Sequence, residues 1–312
     1  MKSPVKISIV TTLYKSEMFL EQFLYDIKNA LKDIQCLDYE LIFVNDGSPD
    51  DSLSYLIERK KDIQQIKILD LSRNFGHHYA IQAGLNYASG NYVFLIDNDL
   101  ETSPSVLIDY YNEIVNDSTI DVVYGYQEFR KGNFIEKHTG SLFWVLINKL
   151  SDTKIPYNIL TERLMTKQYV HSLLSLQDAN VFLGGMMCWV GFNQKGIAVI
   201  KGRRDGKSTY SLRKRVSLSL QAITSFSGKP LEWLFYFGIL ISFFSALFLI
   251  YIAVKKIIYQ NEIELGWSSI IAVNLLILGV ISTFLGVIGI YIYKIFRQVQ
   301  GRPNAIIKKI YE

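Results

Sequence analysis

Residues 1–100 alternate between short apolar runs and longer stretches in which apolar residues recur every three or four positions. Short runs rich in β-branched residues are typical of buried strands, whereas the longer spacing is typical of amphipathic helices. The pattern predicts strands at residues 5–14, 39–45, 66–71 and 92–96, separated by helices at residues 16–31, 50–61 and 77–88.

Strands that alternate with helices form βαβ units, and these predict a Rossmann-like α/β fold with a mainly parallel sheet. Helices would cover both faces of that sheet. In such folds ligands bind beyond the carboxyl ends of the strands. We therefore expect the ligand-binding and catalytic residues in the loops that follow Tyr14, Val44, Leu71 and Ile96.

Beyond about residue 130 the apolar spacing becomes helical. One helix is predicted over residues 140–150, and its apolar stripe fits either a core helix or a helix that lies on a membrane. A second is predicted over residues 211–226, where three consecutive basic residues crowd the first turn. Because this second stretch leads directly into long apolar segments, we interpret it as an amphipathic helix at a membrane interface.

Two segments, residues 234–254 and 268–293, contain no charged side chain. At about 1.5 Å per residue each can cross a hydrocarbon core of roughly 30 Å, so two transmembrane helices are predicted. Trp233 and Trp267 stand at their starts, where indole rings favour the headgroup level. The linker carries fewer cations than the outer flanks, which predicts that both termini face the cytoplasm. A buried helical hairpin of a soluble protein is the alternative.

Composition and charge fit this division into a soluble and a membrane part. Hydrophobic residues make up 49% of the 312 residues, the formal net charge is +4, and basic residues concentrate at 203–229 and 294–309. That distribution fits an anionic lipid surface better than a nucleic acid. Residues 1–25 contain no apolar stretch typical of a signal peptide. Cys36 and Cys188 lack zinc-site spacing and are interpreted as reduced thiols.

The strongest chemical signal is the sequence I-D-N-D-L-E at residues 96–101, directly after the fourth predicted strand. Asp97 and Asp99 flank one residue, so both carboxylates can face one cavity and bind a hard divalent cation. Mg²⁺ or Mn²⁺ held there would bridge the two phosphates of a nucleotide sugar and neutralise the leaving diphosphate. An ordinary Asx-turn at a strand end is the alternative.

Two other loops add to this signal. Asp46 ends the second strand within V-N-D-G-S and is suited to accept hydrogen bonds from a base or ribose, although a turn or N-cap aspartate has the same sequence. The run S-R-N-F-G at residues 72–76 follows the third strand. His77 and His78 come next, have no partner at ligand spacing, and are interpreted as helix N-terminal polar residues near the phosphate loops.

With these three motifs, the paired apolar segments and G-R-P at residues 301–303, the chain resembles the family 2 glycosyltransferases over nearly its whole length. It is most similar to their polyprenyl-phosphate branch, which includes dolichyl-phosphate mannose synthase and undecaprenyl-phosphate glucosyl and aminoarabinosyl transferases. The resemblance implies a GT-A fold, a nucleotide-sugar donor, a polyprenyl-phosphate acceptor and inversion at the anomeric carbon.

The resemblance also implies roles for individual residues. The D-x-D-L-x run implies metal binding by Asp97, Asp99 and Glu101. The family's R-x-x-G-x-S-K-Y loop corresponds to residues 203–210, whose cations can close over the donor diphosphate and receive the acceptor phosphate; contact with lipid headgroups alone is the alternative. The catalytic assignments are Asp97, Asp99, Arg203 and Arg204, and the donor-binding assignments are Tyr14, Asp46, Arg73, Asp97, Lys207 and Ser208.

The chain departs from the family pattern at several positions. Residues 10–16 lack the Pro, Asn and first acidic residue of V-P-x-Y-N-E, Thr209 replaces a Lys, and Glu101 replaces a Gln. Residues 158–164 lack the Asp proposed as base in several relatives. A phosphate monoester has its second pKa near 6, so the acceptor is already ionised and needs no protein base. Glu162 is an alternative base.

The predicted enzyme transfers a sugar from a nucleotide diphosphate to undecaprenyl phosphate at the cytoplasmic membrane face. A UDP-sugar is the favoured donor, and a dTDP-sugar is the second choice. A processive polysaccharide synthase is disfavoured, because no Q-x-x-R-W occurs and two spans are too few for a polymer channel. A catalytically inert membrane scaffold is also disfavoured, because scaffolding needs no self-repelling carboxylate pair.

The domain organisation follows from these segments. We expect a cytoplasmic GT-A domain at residues 1–210, an interface helix at 211–230, a transmembrane hairpin at 231–294 and a cytoplasmic tail at 295–312. The protein would be a multi-pass protein of the cytoplasmic (inner) membrane that contacts lipids and no nucleic acid. Family resemblance suggests a homotetramer.

Overall fold

The computed structural model describes residues 6–128, 156–200, 227–259 and 267–312. Two predicted helices, at residues 140–150 and 211–226, lie outside these ranges. So do four predicted site residues, which are Arg203, Arg204, Lys207 and Ser208.

The N-terminal part follows the predicted alternation of strands and helices closely. The strands are β1 (Lys6–Leu13), β2 (Asp38–Asn45), β3 (Ile66–Leu71), β4 (Tyr92–Leu95), β5 (Val122–Tyr126), β6 (Ile159–Thr166), β7 (Gln194–Ala198) and β8 (Ile307–Tyr311). The helices are α1 (Glu17–Asp33), α2 (Ser52–Arg59), α3 (His77–Tyr87), α4 (Val106–Asn116), α5 (Lys167–Leu174), α6 (Leu183–Trp189), α7 (Lys229–Tyr259) and α8 (Trp267–Val299).

The strands form one sheet in the order β7-β5-β6-β4-β1-β2-β3-β8. Pairs β1-β2, β1-β4, β2-β3 and β5-β7 are parallel, while β4-β6, β5-β6 and β3-β8 are antiparallel. The predicted α/β fold with a mainly parallel sheet is therefore confirmed. Because β4 lies on the opposite side of β1 from β2 and β3, the winding reverses there, and a crevice opens at the carboxyl ends of β1 and β4.

Helices cover both faces of the central strands. Leu41 and Phe43 of β2 pack with the α1 face, whereas Ile42 and Val44 pack with the α3 face. All four side chains are at most 1% exposed. Strands buried on both faces have nearly continuous apolar sequences, which is why the sequence pattern revealed β1 to β4 so clearly.

The two predicted apolar spans fall within the long helices α7 and α8. Among the described residues, Ile277–Val299 is long and apolar enough to cross a membrane, with a mean hydropathy of 1.8, and none of it is buried within the protein. The two-span topology stays a prediction.

Strands β5 to β8 were not predicted. Residues beyond about 130 were expected to be helical, yet they contain β6, β7 and β8. Glu162 and Arg163 interrupt the apolar pattern of β6, although they are only 1% and 2% exposed. A strand with two buried charged residues lacks the alternation by which strands are recognised from sequence.

The predicted C-terminal tail, residues 295–312, contains regular structure that the sequence did not reveal. Helix α8 continues to Val299, and Ile307–Tyr311 pairs antiparallel to β3 as strand β8. This strand could not be recognised from the sequence, because Lys308 and Lys309 interrupt its apolar pattern. Charged side chains are common on edge strands, because they discourage pairing with other molecules.

Candidate active site

The structure brings the four predicted loops to one edge of the sheet. Strands β1 to β4 run parallel, so their carboxyl ends lie together. The loops that follow them carry Tyr14, Asp46, Arg73 and the Asp97–Asp99 pair. The predicted grouping of these loops at one edge is therefore confirmed, and their role in binding and catalysis stays a prediction.

His77, the first residue of α3, lies between Thr12 of β1 and Asp97 of the loop after β4. Its Nδ1 lies 3.0 Å from Thr12 Oγ1, and its Nε2 lies 3.5 Å from Asp97 Oδ1. When the Thr12 hydroxyl donates to Nδ1, the Nε2–H faces the Asp97 carboxylate. Desolvation by the surrounding protein lowers the pKa of His77, and attraction to Asp46 and Asp99 offsets part of that shift. His77 therefore lies among three acidic side chains, and burial favours its neutral form.

Sequence reasoning placed His77 near the phosphate loops but missed its contact with Asp97. The two residues belong to different loops, so their spacing along the chain carried no ligand or ion-pair signal. The available clue was topological, because parallel strands bring the start of α3 and the end of β4 to the same edge.

The loop after β4 has a constrained backbone. The Glu101 N–H donates to Asp99 Oδ1 at 3.1 Å, which forms the Asx-turn considered as the alternative. Leu100 has a φ of +58°, a left-handed conformation that costs about 1–3 kcal/mol in a residue other than glycine. Asn98 Nδ2 donates to the Thr12 carbonyl at 3.0 Å and ties the loop to β1. The Asx-turn thus coexists with an Asp97 carboxylate that faces His77.

The donor set of this loop fits a divalent cation that is shared with a ligand. Asp97 and Asp99 supply hard oxygen donors of the kind preferred by Mg²⁺ and Mn²⁺, and the Asp97 side chain is 29% exposed. In the described part of the chain, no group of three or more His, Cys, Asp and Glu side chains could hold an ion. A cation here would therefore need further oxygens from a bound diphosphate or from water.

Asp46 ties the loop after β2 to the loop after β3. The Phe75 and Gly76 N–H groups donate to its two carboxylate oxygens at 2.7 and 3.0 Å, and Asn74 Nδ2 donates to its carbonyl at 2.9 Å. Burial raises the pKa of Asp46, and the two N–H bonds offset part of that rise. Nucleotide binding by Asp46 stays a prediction. In the structure this side chain fixes the shape of the S-R-N-F-G loop.

Gly47 makes the contact between these loops possible. Its φ is +63°, and a Cβ at this position would lie 2.8 Å from Asn74 N. We expect Gly47→Ala to lower thermal stability clearly more than Gly191→Ala. The two glycines share a positive φ, but a Cβ on Gly191 would have no atom within 4 Å. The strain of about 1–2 kcal/mol is common to both, and the steric clash adds about 1–3 kcal/mol for Gly47 alone.

Thermal unfolding of both variants measures this difference. Equal losses of melting temperature would show that the S-R-N-F-G loop accommodates a methyl group, and that the close approach at Gly47 has no structural importance.

Tyr14 occupies an open position at the end of β1, with 52% of the residue exposed. The loop after β2 fixes its surroundings, because Ser48 Oγ accepts from the Lys15 N–H at 2.7 Å and Asp50 Oδ2 accepts from the Glu17 N–H at 3.1 Å. An exposed ring on a fixed backbone is available to a planar ligand group, as the prediction for Tyr14 requires.

Arg73 lies near the C-terminal end of α8. Its guanidinium stacks over the Phe75 ring at 4.2 Å, and it lines a cavity of about 480 Å³ together with Arg297 and Arg302. Its assignment to donor binding stays a prediction.

Glu162, the alternative base, lies in β6 one position beyond the Leu95–Arg163 pair, beside the end of β4. Its Oε2 has no hydrogen-bond partner within the described ranges. The pKa of Tyr110 is raised, chiefly because the group is buried and secondly because Glu162 is a nearby negative charge. The enclosed position of Glu162 does not by itself support a role as base.

Comparison with known proteins gives matches that span the chain. Residues 8–174 match the family model described as Glycosyl transferase family 2. An uncharacterized glycosyltransferase of Bacillus subtilis (strain 168), YkcC, is 36% identical over 313 residues, covering 100% of this chain and 96% of the relative. The SfII prophage-derived bactoprenol glucosyl transferase of Shigella flexneri is 30% identical over 306 residues, covering 98% of each.

A solved structure shares the fold at low identity. The mannosyltransferase PcManGT from Pyrobaculum calidifontis, in complex with GDP-Man and Mn²⁺, aligns with a TM-score of 0.50 and 13% identity over 96% of this chain and 88% of that chain. The family model covers more than half of the sequence, and the relatives cover nearly all of it. The chain therefore belongs to glycosyl transferase family 2.

Proposed function

We propose that this glycosyltransferase moves a sugar from a nucleotide diphosphate, a UDP-sugar first and a dTDP-sugar next, to a polyprenyl phosphate at the cytoplasmic face of the membrane. Relatives named bactoprenol glucosyl transferases, similar over nearly the full chain, support an acceptor of this class.

The observation that carries the proposal is the position at which the apolar helix α8 ends. Gln298 Oε1 of α8 accepts from the Ala179 N–H at 2.8 Å. The Ile306 carbonyl then accepts from the Ser72 N–H at 2.9 Å, directly after β3. These contacts hold the end of α8 beside the loop that leads to His77. A lipid that lies along α8 would therefore present its headgroup close to the candidate site.

The proposed reaction is a direct displacement. An oxygen of the ionised acceptor phosphate attacks the anomeric carbon, and the bond from that carbon to the donor diphosphate breaks with inversion of configuration. The electron pair leaves with the nucleoside diphosphate. No proton must be removed, because the acceptor is already largely ionised at neutral pH. The chain must therefore position two phosphates in line and screen their charges.

The described residues are suited to positioning. Asp46 fixes the S-R-N-F-G loop, and His77 orients the Asp97 carboxylate. Arg203 and Arg204 would screen the phosphates. A divalent cation, Mg²⁺ or Mn²⁺, bound by Asp97 and Asp99 with Glu101 beside them, would stabilise the leaving diphosphate. The Mn²⁺ in the Pyrobaculum mannosyltransferase complex supports a metal of this kind.

The proposed topology follows from the same elements. Helices α7 and α8 would cross the cytoplasmic membrane with both termini on the cytoplasmic side, and residues 211–230 would lie at the lipid interface. Lys207 and Ser208 would close over the donor diphosphate beside Tyr14. Assembly as a homotetramer is proposed from the family resemblance.

The test is incubation of the purified full chain with undecaprenyl phosphate and a panel of labelled nucleotide sugars, with and without Mn²⁺. We expect a labelled product that partitions into organic solvent with one donor only, and only when the metal is present. A labelled polymer would instead indicate a processive synthase. Absence of any product across the panel would favour an inert scaffold.

A further inference from the structure

The cavity at the end of α8 carries an unusual concentration of positive charge. It encloses about 480 Å³ and is lined by Arg73, Arg297 and Arg302, with the aromatic rings of Phe75 and Tyr293 among its other walls. No carboxylate belongs to the described residues that line it. Arg73 is also attracted by the Asp46 carboxylate. The described lining nevertheless brings three guanidinium groups and no carboxylate to one space, so the cavity favours an anion with more than one negative charge.

Hydrogen bonds hold two of the three guanidinium groups, those of Arg297 and Arg73, and all three groups keep N–H donors for a ligand. Arg297 Nη1 donates to Asn180 Oδ1 at 3.4 Å, and Arg73 Nη1 donates to the Asn74 carbonyl at 3.1 Å. Arg302 is exposed and makes no hydrogen bond or ion pair with any described residue. Each guanidinium has five N–H donors, so most of them remain available to phosphate oxygens.

The face of α8 that leads to this cavity is lined by small residues. Gly279, Ser282, Gly286 and Gly289 recur every three or four positions, and the same spacing continues to Tyr293 and Arg297. Residues at this spacing share one helix face. A Cβ built on any of the three glycines would have no atom within 4 Å. The result is a shallow open strip that runs along the apolar helix and ends at the guanidinium groups.

We propose that this strip and cavity bind a polyprenyl phosphate before transfer, with the chain along the glycine-rich face of α8 and the phosphate monoester among Arg73, Arg297 and Arg302. The inference rests on the proposed function for the identity of the lipid. It adds a capture site for the acceptor, separate from the Asp97–Asp99 pair.

A phosphate monoester fits the observations better than the alternatives. At neutral pH it carries between one and two negative charges, whereas a phospholipid diester carries one at its phosphate. Small-residue strips also pack helix against helix. A second copy packed in parallel would bring its own Arg297 to the same level, so like charges would meet where the strip ends.

The position of the cavity also suits transfer. Arg73 and Phe75 line it from one side of the S-R-N-F-G loop, and Asp46 holds that same loop through the Phe75 and Gly76 N–H groups. His77 follows directly and reaches Asp97. One loop therefore separates the proposed capture site from the proposed catalytic site, and a phosphate could pass from one to the other by a short movement.

The test is equilibrium binding of labelled farnesyl phosphate to the full chain in detergent, with EDTA present and no nucleotide sugar. We expect Arg297→Gln and Arg302→Gln each to weaken binding about tenfold or more, the loss expected for a charge-assisted hydrogen bond. Lys28→Gln, which removes an exposed charge on α1, should bind like wild type. Wild-type affinity in both arginine variants would overturn the proposal.

Competition distinguishes the possible ligands. Unlabelled farnesyl phosphate should displace the label at far lower concentration than inorganic phosphate or phosphatidylglycerol. Equal competition by phosphatidylglycerol would overturn the monoester assignment, and equal competition by inorganic phosphate would show that the prenyl chain contributes nothing.

A glycine variant tests the strip. Gly286→Leu should weaken binding of undecaprenyl phosphate and leave the oligomeric size unchanged. A change of oligomeric size with unchanged affinity would show that the strip is a helix contact, and would overturn its assignment to the lipid chain.

The outcomes separate this inference from the proposed function. If no donor supports turnover but farnesyl phosphate binds as described, the proposed reaction is wrong and the capture site stands. If turnover is normal and Arg302→Gln leaves the KM for undecaprenyl phosphate unchanged, the reaction stands and the capture site is wrong.

Discussion

Asp99→Asn should lower kcat by about 10³-fold or more, because it removes one of the two anionic oxygen donors for a metal at the leaving diphosphate. The substitution leaves the local backbone intact. The Glu101 N–H can donate to the amide oxygen of Asn as it does to Asp99 Oδ1, so the Asx-turn persists. Steady-state turnover of the lipid-linked product, together with thermal unfolding, separates loss of catalysis from loss of fold.

The matched control is Asp109→Asn, which neutralises an exposed carboxylate on the neighbouring helix α4. This variant should retain wild-type turnover. Treatment of the wild type with EDTA should reproduce the defect of Asp99→Asn and should be reversed by added Mn²⁺. Turnover above a tenth of the wild-type value in Asp99→Asn, or full activity in EDTA, would contradict the metal-binding role of this loop.

Glu40→Gln should be strongly destabilising, although Glu40 lies at the opposite end of the sheet from the candidate site. The Glu40 side chain is 2% exposed and forms ion pairs with Lys67 at 2.9 Å and Lys6 at 3.4 Å. Ser8 Oγ donates to it at 2.5 Å and the Ser89 N–H at 2.8 Å. Removing the charge leaves Lys6 and Lys67 without their anionic partner. We therefore expect the free energy of unfolding to decrease by about 3 kcal/mol at neutral pH.

The pH dependence of this loss has a defined sign. Burial tends to raise the pKa of Glu40, but the hydrogen bonds from Ser8, Lys67 and Ser89 outweigh it and lower the pKa from 4.5 to about 2. A lowered pKa stabilises the folded state above pH 4.5, and this contribution disappears as the pH falls toward 2. The difference between wild type and Glu40→Gln should therefore be constant near neutrality and shrink only below about pH 4.5.

Thermal unfolding at several pH values measures this effect. A loss of about 3 kcal/mol corresponds to a decrease in melting temperature of roughly 6–12 °C for a domain of this size. Glu58→Gln, at an exposed position on α2, should change stability by no more than about 0.5 kcal/mol. Equal melting temperatures for the Glu40 and Glu58 variants at neutral pH would contradict the role of Glu40.

The sequence predicted the centre of the fold well and its edges poorly. Strands β1 to β4 are buried on both faces, so hydrophobic burial alone determines their sequence, and β3 has the predicted limits. Strands β5 to β8 are determined by pairing with distant partners. Strand β8 pairs through its backbone with β3 while four of its five residues are exposed, so its side chains carry no signal of burial.

The candidate site could be predicted only in part. Asp97, Asp99 and Asp46 were selected because they stand in turns directly after predicted strands, within motifs that resemble the family, and their binding roles stay predictions. The contact of His77 with Asp97, the hydrogen bonds from Phe75 and Gly76 to Asp46, and the grouping of Arg73 with Arg297 and Arg302 depend on three-dimensional proximity. Spacing along one sequence contains no record of such contacts.

The pairing of β8 with β3 has a consequence for biosynthesis. β4 to β7 and both long helices lie between these partners along the chain, so a ribosome makes them all before the edge of β3 can be covered. During that interval β3 exposes unpaired N–H and C=O groups that another nascent chain can bind. The domain that carries the site therefore matures only after translation has passed α8, and its cellular yield depends on protection of that edge until then.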